Sequence, residues 1–328
     1  MTDQTEPDWA LLADIGGTHA RFAYLKPDDP TPQPIGTYTA EACPQFETVM
    51  EQLCTSVEEL DLPLGRLERI CLAVAANPFA DEIALTNNGW RFRRSELAKM
   101  LGCDNMLVVN DFEAVARSVP LLKSEDTVQI GGGEAQSSGV MVAIGPGTGT
   151  GVASLIVDGA GEPLVVPGEG GHVDFAPVGD TEIAVLQHLR GQFDRVSIER
   201  LLSGDGILNL YRTLCDINGC DTAMRTPEAV GEAAQADTDP MAREAMALFF
   251  AVLGSVAGDL ALTLGARGGV YIAGGIVPRY VELMRRSQFR FRFESKGRFS
   301  DHNKMIPSFV VTHPNPGLLG VACVSSNT

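Results

Sequence analysis

Positive charge is scarce in this 328-residue chain. Twenty-five Lys and Arg face 42 Asp and Glu, a formal charge of −17, and the acidic residues are scattered rather than gathered into a tail. Such a field repels nucleic acid and anionic lipid surfaces. Small phosphorylated ligands stay open, because local amides, a metal ion and helix N-termini can hold phosphates inside an acidic protein. A disulfide framework is also missing: the seven cysteines are odd in number and irregularly spaced, which fits a reducing, cytoplasmic compartment. Cys215 and Cys220 have no second pair or His at finger spacing, so free thiols are expected rather than zinc. The residues after Met1 are acidic and polar, without a basic or apolar leader region, and export is not expected. Neither the Walker A pattern nor the dinucleotide fingerprint occurs. No low-complexity linker divides the chain.

One long apolar run is present, Ala245 to Ala266, with Asp259 as its only charge. It is long enough to cross a bilayer. Yet it is entered by Glu244, contains Gly254, Gly258 and Gly265, and ends in Arg267-Gly268-Gly269. A buried helix in a large α/β protein has this composition, and no membrane association is expected.

The length is about twice that of a usual single domain, so two domains are expected. Trp9 to Ile15 and Ala20 to Leu25 read as strands joined by a glycine turn, followed by a helix with Phe46, Val49, Met50, Leu53 and Val57 on one face. Arg69 to Ala75 reads as a strand. Ser95 is expected to cap a helix running to Gly102, Met106 to Val109 to form a buried strand, and Phe112 to Leu122 a helix. The pattern then restarts: Val140 to Ile144, a turn Gly145-Pro146-Gly147-Thr148-Gly149-Thr150-Gly151, and Val152 to Val157. This recurrence suggests a duplicated α/β architecture with a ligand between the halves. Helical patterns start at Thr181, Ser197 and Asp239. Val270 to Ala273 and Ile306 to Val311 read as strands, Pro278 as a helix start and Pro316-Gly317 as the entry to a last helix.

Asp14-Ile15-Gly16-Gly17-Thr18 sets a carboxylate at a strand end beside residues whose missing side chains let amides approach a phosphate. Asp14 could hold hydrated magnesium there, although a plain hairpin turn fits the same residues. Gly147-Thr148-Gly149 offers a second phosphate cradle. Asn110-Asp111 stands where open α/β sheets place ligand groups. A carboxylate there can accept a hydroxyl proton, as phosphoryl transfer to an alcohol requires. Equally, Asp111 could cap a helix beginning at Phe112. Glu169-Gly170-Gly171-His172 and Glu199 supply donors and acceptors suited to an array of sugar hydroxyls, while His172 taken alone also reads as a structural histidine. Lys296-Gly297-Arg298 is given no role.

Taken together, these stretches resemble the bacterial glucokinases related to hexokinase, within the actin-like ATPase superfamily. The resemblance covers Asp14 to Arg21, Leu85-Thr86-Asn87, Asn110-Asp111-Phe112, Gly147 to Gly149, Pro167 to Pro177, Glu199 to Gly204, Ile272 to Ile276 and Asn315 to Gly320. It implies a two-lobed, ribonuclease H-like fold of duplicated α/β domains with an active-site cleft between them. The small domain would be residues 1–122, with 315–328 returning to it, and the large domain 123–314. It implies transfer of the ATP γ-phosphoryl group to the 6-hydroxyl of D-glucose, with Mg2+ as cofactor, Asp111 as base, and Asn87, Asn110, Asp111, Glu169, His172 and Glu199 around the sugar. Asp14, Gly16, Gly17, Thr18, Gly147, Thr148 and Gly149 would surround the phosphates and magnesium, Gly274 and Gly275 the adenosine. A homodimer is implied as well.

Two positions depart from the family pattern. Ala76 to Asp81 lacks the glycine usual there, and Thr150 stands where leucine is common. The zinc cysteines of the repressor-type sugar kinases are absent, and Asp14 comes too early for a preceding DNA-binding domain, so a transcriptional regulator is not expected. The alternatives are a kinase for another hexose or amino sugar, and a non-kinase actin-like ATPase.

Overall fold

The computed structural model describes residues 9–27, 29–85, 89–157 and 163–326. These form two compact units, residues 1–122 with 314–328 and residues 123–313. The first opens with β1 (Trp9–Ile15), β2 (His19–Lys26), β3 (Asp29–Thr39), α1 (Phe46–Glu59) and β4 (Leu67–Val74). A small hairpin of β5 (Glu82–Ala84) and β6 (Arg91–Arg93), then α2 (Arg94–Leu101), β7 (Met106–Asn110) and α3 (Asp111–Ser118) follow. The main sheet runs β3-β2-β1-β4-β7. The first three strands are mutually antiparallel, and β1, β4 and β7 are parallel.

Both faces of this sheet are covered, which explains the near-continuous apolar sequence of its central strands. Leu11, Ala13 and Ile15 of β1 pack with Phe46, Val49, Leu53 and Val57 of α1. Ala10 and Leu12 point the other way, into a cluster with Ala73 and Ala114. β3 carries Pro32 and Pro34 and takes the sheet edge, where a missing N–H costs little. Its prolines hide it from a strand search.

The second unit contains β8 (Thr127–Gln129), β9 (Gly139–Pro146), β10 (Thr150–Val157), β11 (Leu164–Gly168), α4 (Asp180–Arg190), α5 (Gly204–Asn218) and α6 (Pro227–Gln235). It continues through α7 (Pro240–Leu264), β12 (Gly269–Ile272), α8 (Val281–Arg286), α9 (Phe289–Glu294), α10 (Ser300–Lys304) and β13 (Ser308–Val311). Its sheet runs β11-β10-β9-β12-β13-β8. Without the short edge strand β8, order and strand directions repeat those of the first sheet, with β9 in the place of β1. The recurrence read in the sequence is thus a duplicated topology.

The long apolar segment is α7, and 72 % of its most apolar stretch is buried. It is a core helix, capped by Asp239, whose Oδ1 accepts from the Ala242 amide at 2.8 Å. Gly254 and Gly258 let α9 lie directly on it: a Cβ at either would collide with the carbonyl of Phe289 or Phe293. The chain then returns to the first unit as α11 (Pro316–Ser326), which packs on α3 so closely that a Cβ on Gly320 would run into the Ala114 carbonyl. Leu318, Val321 and Ala322 complete the cluster around Leu12 and Ala73.

Four local expectations are corrected. Ser95 lies inside α2, and the helix start is held instead by Asp81, which accepts from the Ser95 amide at 3.0 Å and its hydroxyl at 3.1 Å. The helix expected to reach Leu122 ends at Ser118 and tightens into a 3-10 turn, Val119–Leu121, around Pro120. The helix expected from Ser197 is a single 3-10 turn, Ile198–Arg200, and α5 begins at Gly204 under a Ser203 cap. Pro278 begins a 3-10 turn, Val277–Tyr280, before α8.

Candidate functional site

In the first unit, the Gly16-Gly17-Thr18 turn joins β1 to β2 and is closed by the Gly16 amide donating to the His19 carbonyl at 2.9 Å. Asp14 ends just before it, paired in register with Arg21, whose Nη1 lies 3.7 Å from Asp14 Oδ2. The first turn of α11 rests on this carboxyl: a Cβ on Gly317 would stand 2.8 Å from Asp14 Oδ2. Burial pushes the Asp14 carboxyl above the usual carboxylate range, and the Arg21 charge draws it part of the way back. A half-buried carboxylate beside a helix N-terminus and a glycine turn suits a cation shared with phosphate oxygens.

Asn110 and Asp111 stand at the end of β7. Register ties Ile15 to Val74 and Val74 to Asn110, so the glycine turn and Asn110-Asp111 emerge at the same end of the sheet, two strands or roughly 10 Å apart. The cap of α3 is Asn110, not Asp111: Asn110 Oδ1 accepts from the amides of Phe112 at 2.9 Å and Glu113 at 3.3 Å. Asp111 is the first helical residue, with Oδ1 accepting from the Phe112 amide at 2.9 Å. With its oxygen committed to the cap, Asn110 presents its amide hydrogens as donors.

The second unit repeats the device. Gly147-Thr148-Gly149 joins β9 to β10 where Gly16-Gly17-Thr18 joins β1 to β2. Gly274-Gly275 leaves the neighbouring strand β12 at the same end; Gly274 has φ 88°, and a Cβ there would strike the Pro146 carbonyl. Two further segments reach this turn. The Gly204 amide donates to the Gly147 carbonyl at 2.9 Å. Glu199 Oε2 accepts from the Thr150 amide at 2.8 Å.

Glu169 precedes and His172 ends a 3-10 turn, both exposed, with the His172 amide donating to the Glu169 carbonyl at 3.0 Å. The loop continues into a bridge between Asp174 and Ser197, flanked by the Ile198 amide on the Val173 carbonyl at 2.9 Å. Glu169, His172 and Glu199 are therefore carried on two segments zipped together. Arg195, which the sequence reading did not single out, fastens them, donating to the His172 carbonyl at 2.7 Å and Asp174 Oδ1 at 2.8 Å. No motif surrounds Arg195 that would have revealed it. Asn87 lies outside the described residues.

Glycine turns at strand ends, a carboxyl at a helix start and a carboxylate-bearing loop are the kinds of group that phosphoryl transfer to an alcohol uses. The profile of the family described as Glucokinase matches residues 11–328. The chain belongs to the glucokinase family. It is 42 % identical over 315 residues to the glucokinase of Paramagnetospirillum magneticum, covering 95 % of this chain and 96 % of that one. Among solved structures, a glucokinase from an Antarctic psychrotroph superposes with a TM-score of 0.81 at 34 % identity, covering 98 % and 99 % of the two chains. The glucokinase of Balamuthia mandrillaris, solved with glucose, shares the fold at a TM-score of 0.76 and 22 % identity over 98 % and 94 %. The fold is the duplicated α/β architecture of the actin-like ATPases.

Proposed function

We propose that this chain is an ATP-dependent glucokinase, transferring the γ-phosphoryl group of ATP to the 6-hydroxyl of D-glucose to give glucose 6-phosphate and ADP. The observation that carries the reading is the family match over residues 11–328, which takes in both glycine turns, Asn110-Asp111 and the Glu169 and Glu199 loops. In this reading Asp111 accepts the 6-hydroxyl proton as that oxygen attacks phosphorus. Asn87, Asn110, Glu169, His172 and Glu199 hold the remaining hydroxyls, each of which both donates and accepts. The amides of Gly16, Gly17, Thr18, Gly147, Thr148 and Gly149 receive phosphate oxygens, and Gly274 and Gly275 leave room for the adenosine.

Among the described residues no cluster of three or more metal-ligating side chains exists. That suits magnesium, which keeps most of its waters and needs only one or two carboxylates alongside phosphate oxygens. Asp14, half-buried against the first turn of α11, is the residue that would hold it. When bound, Mg2+ would neutralise phosphate charge during transfer. Magnesium, a cytoplasmic location, a place in glycolysis and a homodimeric assembly extend the reading from the family resemblance.

The test is formation of glucose 6-phosphate from glucose and Mg-ATP, with mannose, fructose and N-acetylglucosamine as competing acceptors. Glucose-selective turnover is expected, and Asp111→Asn is expected to lower kcat by about 10²- to 10⁴-fold, the usual contribution of a general base. Turnover with another acceptor alone would overturn the substrate, and ATP binding without transfer would overturn the kinase.

A further inference from the structure

Thr150 opens β10 directly after the Gly147-Thr148-Gly149 turn, and three segments of the second unit meet on it. It is 6 % exposed. Its amide donates to Glu199 Oε2 at 2.8 Å, and its hydroxyl donates to the Leu202 carbonyl at 2.6 Å, just before the Ser203 cap of α5. Its backbone also presses on the Glu169 loop: a Cβ on Gly171 would collide with the Thr150 carbonyl and stand 2.8 Å from its Cβ. An aliphatic residue could make the amide contact and the packing contact. Only a hydroxyl adds the tie to Leu202, which fixes the turn of chain that carries Glu199.

We propose that Thr150 is a positioning residue that couples the sugar loops to the phosphate turn, so that glucose and nucleotide tighten each other's binding. The inference rests on the reading of Glu199 as a sugar contact and of Gly147-Thr148-Gly149 as a phosphate turn. A carboxylate has two oxygens. Glu199 Oε2 holds the Thr150 amide, and a sugar hydroxyl on Oε1 immobilises the same carboxylate and, through it, the end of the turn. Phosphates seated on the turn immobilise it from the opposite side. Whichever ligand binds first orders the group the second one needs, and the effect is necessarily reciprocal.

The test is titration calorimetry of glucose, alone and with a saturating non-hydrolysable ATP analogue and magnesium, on the intact protein and on Thr150→Val and Thr150→Ser, together with steady-state kinetics. In the intact protein the analogue is expected to tighten glucose binding by about fivefold or more, the lower range of measured couplings. In Thr150→Val, which keeps the amide contact but loses the tie to Leu202, that ratio is expected to fall measurably and kcat/KM to drop about tenfold, the usual effect of losing one buried hydrogen bond. Thr150→Ser restores both. Should Thr150→Val not fold, Thr150→Cys, with its weaker donor, is expected to give an intermediate ratio. A folded Val variant with an undiminished ratio would overturn the inference, as would an intact enzyme that turns over glucose without any coupling. An intact protein that neither binds nor phosphorylates glucose would instead overturn the functional reading beneath it.

Discussion

Gly149→Ala gives the sharpest test of how the Gly147-Thr148-Gly149 turn is held. The backbone of Gly149 does not lie in the left-handed region, so alanine adopts it without strain. The new Cβ, however, would stand 2.5 Å from Glu199 Oε2, where ordinary contact begins near 3.4 Å. The carboxylate must therefore retreat by about 0.9 Å, which carries the 2.8 Å bond to the Thr150 amide out of hydrogen-bonding range. A hydrogen bond to a charged group contributes about 1.5–3 kcal/mol. At roughly 1.4 kcal/mol per factor of ten, kcat/KM for glucose is expected to fall about 10- to 150-fold. With Glu199 proposed to contact the sugar and Gly149 to belong to the proposed phosphate turn, the KM values for glucose and ATP are both expected to rise. Steady-state kinetics with each substrate varied in turn gives the answer, with a thermal melt to confirm folding. A variant with unaltered constants would show that the carboxylate has slack the geometry does not reveal, and the argument that it holds the turn would fail.

Asp14→Asn is expected to abolish most activity while stabilising the protein without nucleotide or metal. The folded carboxyl holds its proton more tightly than the unfolded one. Its favourable contribution is full below the unfolded value and is lost as pH rises through the elevated folded value. The melting-temperature advantage of the Asn variant should therefore grow from acid to neutral pH, and an advantage that stays flat or shrinks would refute this. Gly258→Ala drives a methyl into the Phe293 carbonyl and is expected to cost about 1–3 kcal/mol by overpacking, read by denaturant melts. Arg292→Met removes the partner of buried Glu182, which Arg292 grips at 2.6 Å and 3.2 Å. The stranded charge is expected to cost about 3–5 kcal/mol, measured the same way.

The legible parts of this molecule were those in which one residue type does one job. β1 and β9 are apolar because both of their faces are covered, and each ends in glycines because the next strand turns back at once. α7 could be read as a buried helix because its glycines and bracketing charges suit a crossing helix better than lipid. β3 was illegible because its prolines forbid a central strand, and only the sheet order shows that it lies at an edge. Ser95 reads as a cap because serine is a common capping residue, whereas the acceptors come from Asp81, fourteen residues earlier and outside any local spacing. At the candidate site the glycine turns and Asn110-Asp111 are local patterns. The work of Arg195 and Thr150 is done across long sequence separations, where no spacing rule reaches.

The contact of α11 with Asp14 sets the order in which this protein can become competent. Asp14 is synthesised long before the helix that rests on it, with Gly317 at its carboxyl and Gly320 against Ala114. A nascent chain that has finished β7 and α3 still lacks Leu318, Val321 and Ala322, so one face of its first sheet is only partly covered, by α3, until α11 is made. The early sheet must wait for a helix synthesised after the whole second unit. Loss of α11, by a premature stop or by proteolysis, would consequently strike Asp14 and the sheet around it, far away in sequence, rather than only the residues near the break.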